Sequence, residues 1–236
     1  MMNANRITLV PTADQTFEIR GGGFAAVLAD SCRAEREGDV ERACNIRFHA
    51  FQRLAAVLPD DEETVFEWND RNTRAAAELI YASAVDHFLI DDFEMSAALA
   101  ELLLEVDPED HCECTPLLAQ CYVAAGEYDS FDDIAADLPE GSPLRCVLTM
   151  FVGYCREGRL SVEDAVAFRR RHPHCFSEFA ADEHPADEAY LHDIESTAPT
   201  AAARARELWL QTENIWRRND GFIAALKSAA DNSVNI

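Results

Sequence analysis

Lysine is nearly missing from this chain: Lys227 is the only one, so the positive charge is almost wholly arginine, a bias that codon usage alone can produce and from which no function is read. Long apolar runs are missing too. No stretch approaches the roughly 18 residues of a membrane-spanning helix, and the N-terminus lacks a basic, then apolar, then small-residue leader. No membrane partner and a cytoplasmic location are therefore the expectation. The chain has no Gly-x-Ser-x-Gly elbow, no Walker loop and no His-Glu-x-x-His helix, so its many carboxylates and seven histidines do not assemble into a known catalytic signature. The expectation is a protein that is not an enzyme and that uses no cofactor.

What is abundant is acid. Against 20 Lys+Arg stand 44 Asp+Glu, a net charge of −24. That field repels phosphate backbones and anionic lipid over about one Debye length, roughly 8 Å, which argues against direct nucleic-acid binding. A length of 236 residues with 48% hydrophobic content fills a real core and argues against disorder over most of the chain. Cys32, Cys44, Cys121, Cys146 and Cys155 fall within apolar helical patterns, which predicts reduced, buried thiols rather than a disulfide framework.

Two β-prone runs, Arg6 to Val10 and Thr16 to Ile19, flank Pro11-Thr-Ala-Asp14 and predict either a short hairpin or an irregular N-terminal arm over residues 1–22. From Phe24 onward apolar residues recur at helical spacing, as in Leu99, Leu102, Leu103 and Val106. Turns punctuate the helices at Glu37-Gly38-Asp39, Asp91-Asp92, Gly126-Glu127 and Gly158-Arg159, the last three 32 to 35 residues apart. A proline stop closes each following helix: Pro59, Pro108, Pro139 and Pro173. The fold class read from this is all-α, with antiparallel helix-hairpin repeats over residues 23–175, an irregular insert near 60–74, and a C-terminal helical cap over 176–236. In that cap a helix from Ala201 to Arg218 carries Trp209 and Trp216 on one face, which predicts packing over the last repeat.

Helix, tight turn, helix and terminal proline at a period near 34 resemble the tetratricopeptide motif, best over Ile80 to Pro108 and on through Leu118-Ala119, Tyr122, Gly126 and Tyr128. Pro108-Glu109-Asp110, Pro173-His174, and Trp216 before Gly221 are also similar to motifs of bacterial tetratricopeptide-like proteins related to the suppressor-of-tumorigenicity-seven group. The resemblance implies a tetratricopeptide-like superhelix and no chemistry, since that group carries no established activity.

Three constellations compete with this reading. Thr16 to Arg20, then Gly21-Gly22-Gly23-Phe24-Ala25-Ala26, formally fits a dinucleotide fingerprint, but the chain continues into a second helix where the fingerprint needs a parallel strand. His111, Cys112 and Cys114, with His172 and His174, offer zinc-type ligands, although one residue between the cysteines is fewer than zinc pairs use. Arg169-Arg170-Arg171 closes a helix, where positive charge suits the macrodipole; a phosphate or acidic-peptide site is the alternative.

By resemblance to tetratricopeptide grooves, the concave side is expected to expose Glu78, Tyr81, Val85 and Phe88, then Glu113, Gln120 and Val123, then Arg145, Leu148, Val152 and Arg156. The function this implies is binding of a protein or peptide partner along that groove. An acidic decoy of a basic nucleic-acid-binding protein is the second reading. A metal-dependent or small-molecule enzyme at the histidine and cysteine cluster is the third.

Overall fold

A computed structural model of the chain describes residues 6–13, 15–59 and 64–232, with side chains as far as 229. Asp14 of the hairpin turn and residues 60–63 of the insert lie outside the described residues. These residues form twelve helices and a small three-stranded sheet. They divide into two compact units, 1–121 and 122–236.

The first unit opens with a β-hairpin, β1 (Thr8–Ala13) antiparallel to β2 (Thr16–Arg20), with Leu9 opposite Ile19. The two alternatives for residues 1–22 thus resolve in favour of the hairpin. Gly21 is where the chain needs glycine. Its φ is +83°, and a Cβ there would lie 2.0 Å from the Arg6 carbonyl oxygen. Helix α1 (Phe24–Arg36) and α2 (Val40–Ala55) then pack as a hairpin joined by Glu37-Gly38-Asp39. Asp39 starts α2 by accepting the Arg42 amide.

Strand β3 (Val65–Phe66) follows, parallel to β2, with Thr16 opposite Val65. Two residues between polar neighbours carry too little alternation to be legible as a strand. Helix α3 (Arg71–Leu89) starts inside the segment read as insert, so residues 71–74 are corrected to its first turn. That turn is a joint. Asp70 accepts from the amide and hydroxyl of Thr73, while Thr73 Oγ1 accepts the Ile19 amide at 2.9 Å and Asn72 donates to the carbonyls of Ile19 and Gly21. Helix α4 (Phe93–Val106) pairs with α3 across Asp91-Asp92. Ala76, Ala77, Ala84 and Ala100 are fully buried there, letting the backbones approach, around Leu79, Ile80 and Leu103.

Helix α5 (Thr115–Ala125) crosses the boundary between the units. In the second unit α6 (Tyr128–Ile134) is short, and α7 (Pro143–Glu157) and α8 (Val162–Arg171) pack as a hairpin around Gly158, whose φ of +70° ends α7. Ser142 and Ser161 cap these two helices. Helix α9 (Pro173–Phe179) follows α8 directly, and α10 (Glu188–Ile194) lies between it and Pro199. Helices α11 (Ala201–Trp216) and α12 (Asp220–Asn232) complete the unit.

Its core is aromatic. The Trp216 ring meets Phe151 and Phe179 edge-on at 5.4 and 5.5 Å and lies tilted against Phe222 at 5.6 Å, and its Nε1 donates to Thr212 Oγ1 at 2.8 Å. Trp209 packs edge-on against Phe179. Both tryptophans are buried.

Candidate protein-binding cleft

Helices α2 and α3 face each other with an arginine between them. Arg47, on α2, reaches Asp86 of α3 with two bonds of 2.6 Å and Glu35 of α1 with a third of 2.6 Å, so one guanidinium ties three helices. Burial works against its charge, but the hydrogen bonds and charges of Asp86 and Glu35 outweigh that and push its pKa up. Above this tie the helices part to leave an open cleft of about 190 Å³, lined by Cys44, Asn45 and Phe48 from α2 and by Ser83, Asp86, His87 and Ile90 from the α3 side.

The cleft mixes apolar rim with polar wall. Ile90 is 70% exposed, Leu89 beside it 67% and Phe48 37%, large apolar side chains left in solvent at the end of α3. Deeper in, Ser83 is only 2% exposed and its hydroxyl has no hydrogen-bond partner. Such an orphaned group costs about 1–3 kcal/mol unless something satisfies it. His87 is held by Asp92, Nδ1 to Oδ2 at 3.0 Å, and meets the Phe48 ring edge-on at 6.1 Å. Burial, then the Asp86 carboxylate, raise the Cys44 thiol against the pull of Arg47, so it is not an activated nucleophile.

The residues expected to line the groove separate into three groups. Glu78 and Glu113 are exposed, and Tyr81, Val85 and Arg145 half-buried. Phe88, Gln120, Val123, Leu148 and Val152 are buried, which corrects the expectation that they face a partner. Phe88 spends its ring on Phe93 at 5.3 Å, and Gln120 turns its amide to Pro116 within its own helix. Arg156 is exposed but already engaged by Asp129 at 3.0 Å and Asp132 at 2.8 Å, lying 6.0 Å over Tyr128. On α3 the cleft uses Ser83, Asp86, His87 and Ile90 rather than the Glu78, Tyr81, Val85 and Phe88 series. The orphaned hydroxyl and the exposed Leu89-Ile90 pair were signals that spacing alone did not carry.

The histidine and cysteine cluster has a structural role. Asp107 accepts both the His111 amide at 2.8 Å and Nδ1 at 2.6 Å, Glu109 sits 3.2 Å from Nε2, and Trp68 stacks on the imidazole at 4.2 Å. Both ring nitrogens are taken. Asp110 caps α5 through the amides of Cys114 and Thr115. Burial, then Asp107 and Glu78, push the Cys112 thiol up to about 12, and burial with Asp110 pushes Cys114 higher still. Among the described residues no three His, Cys, Asp or Glu side chains gather as metal ligands. His184 is bonded to Glu178 at 2.8 Å and stacked on Trp209 at 3.9 Å. The glycine-rich turn answers to the Arg6 carbonyl, and β3, though parallel to β2, returns only after two helices, where a dinucleotide fold crosses with one. Cys32 is exposed, against the expectation of burial, while Cys121 is buried.

No helix among the described residues is long and apolar enough to cross a membrane. Comparisons with protein-family models, with curated proteins and with solved structures give no match to this chain.

Proposed function

We propose that this chain is a non-enzymatic scaffold of helical hairpins, of the tetratricopeptide kind, whose work is to hold a protein partner. The α2/α3 cleft seats one apolar side chain of that partner, and basic residues flank it. The observation that carries this reading is the exposed Phe48, Leu89 and Ile90 around a cleft whose buried Ser83 hydroxyl lacks a partner. Apolar side chains of this size, clustered beside a concavity, are the usual anchor sites of peptide recognition.

Charge sets the sign of the flanking residues. Asp91, Asp92 and Glu94 follow Ile90 directly in the chain, and the net charge is −24, so a basic segment is attracted from a distance and held at close range. Of the arginines expected in the groove, Arg156 is already paired with Asp129 and Asp132. With Arg156 paired and the cleft elsewhere, the local and global electrostatics agree on a basic partner.

The test is selection from a displayed peptide library against the full chain, followed by titration of the enriched peptides. Enrichment of one aliphatic or aromatic residue next to arginine or lysine is expected, with at least a tenfold affinity loss for Ile90→Glu. Ile90 is exposed enough that this substitution leaves the helix content unchanged. Peptides without basic residues, or equal binding to Ile90→Glu, would overturn the assignment.

A further inference from the structure

The arginine run remains unassigned once the cleft is accounted for. Arg145, near the start of α7, and Arg171, the last residue of α8, line one concavity of about 350 Å³, together with Glu140, Asp164, Met150 and Phe168. That volume is at the low end of the roughly 300–1,000 Å³ of small-ligand clefts.

Arg20, Arg33, Arg42, Arg47, Arg156, Arg206 and Arg217 each have a carboxylate partner, as an excess of acid makes easy. Like Arg36, Arg74 and Arg204, neither Arg145 nor Arg171 is paired with a carboxylate among the described residues; what sets these two apart is that two helices bring them to one concavity. Arg145 donates through Nη1 to the Leu138 carbonyl at 3.1 Å and the Ala136 carbonyl at 3.5 Å, which pins the guanidinium and leaves Nε and Nη2 uncommitted. Arg171 stands over Gly141, its Nη1 3.6 Å from where a Cβ would be. A helix-end charge accounts for an arginine at position 171. It does not account for a second one brought to the same concavity from another helix.

The lining also selects among anions. A phosphate would face the Glu140 and Asp164 carboxylates as well as the net charge, whereas a zwitterion carries no net charge to be repelled and uses both signs of the lining. Met150 and Phe168, both buried, supply an apolar floor. We infer that this concavity binds a free α-amino acid with an aliphatic or thioether side chain. Its carboxylate lies on the Arg145 and Arg171 forks, its ammonium toward Asp164 and Glu140, and its side chain on Met150 and Phe168.

The experiment is isothermal titration of the full chain with L-leucine and L-methionine, against 4-methylpentanoate, which lacks the ammonium, and inorganic phosphate. Saturable binding of at least one amino acid with Kd below about 1 mM is expected, with both anions at least tenfold weaker. Arg171→Ala, at an exposed helix end, should weaken the amino acid at least tenfold with the ligand-free melting temperature unchanged. Asp164→Asn should weaken the amino acid and spare 4-methylpentanoate. The inference is overturned by the absence of amino-acid binding, by phosphate or 4-methylpentanoate binding as tightly, or by full affinity in Arg171→Ala or Asp164→Asn.

Discussion

Replacing Arg47 with methionine removes the tie between α1, α2 and α3 while keeping the length of the side-chain stem. Arg47 is 6% exposed at its side chain and Asp86 14%, so the substitution leaves a largely buried carboxylate without its partner. Breaking a pair of this kind costs about 3–5 kcal/mol. The Glu35 bond, to a side chain 43% exposed, adds no more than about 1 kcal/mol. At 1.36 kcal/mol per decade, amide protection in α1 to α3 should fall by roughly two to a little over four orders of magnitude. Native-state hydrogen exchange followed by mass spectrometry reads this on peptides from 24–55 and 71–89, separately from the second unit. The double variant Arg47→Met/Asp86→Leu removes both charges and should recover most of the loss, because its buried surface no longer holds an unpaired ion. A loss below about 1 kcal/mol in Arg47→Met, or a double variant as unstable as the sum of the singles, would refute the claim that an uncompensated charge sets the cost.

Further outcomes follow from the same geometry. At neutral pH a thiol-directed alkylating reagent should modify exposed Cys32 readily and leave Cys112 and Cys121 intact, since burial holds both near 12 and lowers their thiolate fraction by on the order of a thousandfold; rapid labelling of Cys112 in the folded chain, read by mass spectrometry, would contradict this. Trp216→Ala should destabilise the second unit by about 3–5 kcal/mol in urea unfolding followed by Trp209 fluorescence, because Trp216 is 1% exposed amid three phenylalanine rings. Burial raises the Asp70 carboxyl, but the hydroxyl and amide of Thr73 pull it below the ordinary value. Its contribution to the α3 joint is therefore complete above about pH 3.9 and lost as pH falls through the lowered folded value. A carboxyl titration by NMR with a midpoint at or above about 3.9 would show that the Thr73 bonds do not form.

The hairpin turns were legible because they rest on local chemistry. Gly38, Gly126 and Gly158 all have positive φ, and Pro59, Pro108 and Pro173 stand beyond the second helix of a packed pair, where a missing amide costs nothing. The caps were equally local but went unread in a sequence so rich in carboxylates. Asp39, Asp70, Asp92 and Asp187 each accept a first-turn amide, and nothing in composition separates these from solvated acids. Strand β3 was lost because it is two residues long and is specified by β2, some fifty residues away, rather than by its own pattern.

The exposed side of α3 was legible only in part, for a different reason. A helix at the surface of a bundle carries one apolar stripe, and its opposite face is then known. Helix α3 is contacted by β2, α1, α2 and α4, and its buried residues run through Ala75, Ala76, Ala77, Leu79, Ile80, Ser83, Ala84 and Phe88, which together circle most of the helix. The exposed face that remains, Arg71, Arg74 and Glu78, is narrow. Tyr81 and Val85, chosen as exposed, are only half so, while Phe88 turns inward to Phe93. What distinguishes the open side is the end of α3, where the apolar residues continue as Leu89 and Ile90 and both stand in solvent. Whether an apolar run at a helix end is covered is a property of the packed helices together. It becomes visible only when they are placed, and it is the feature on which the assignment of a protein-binding cleft depends.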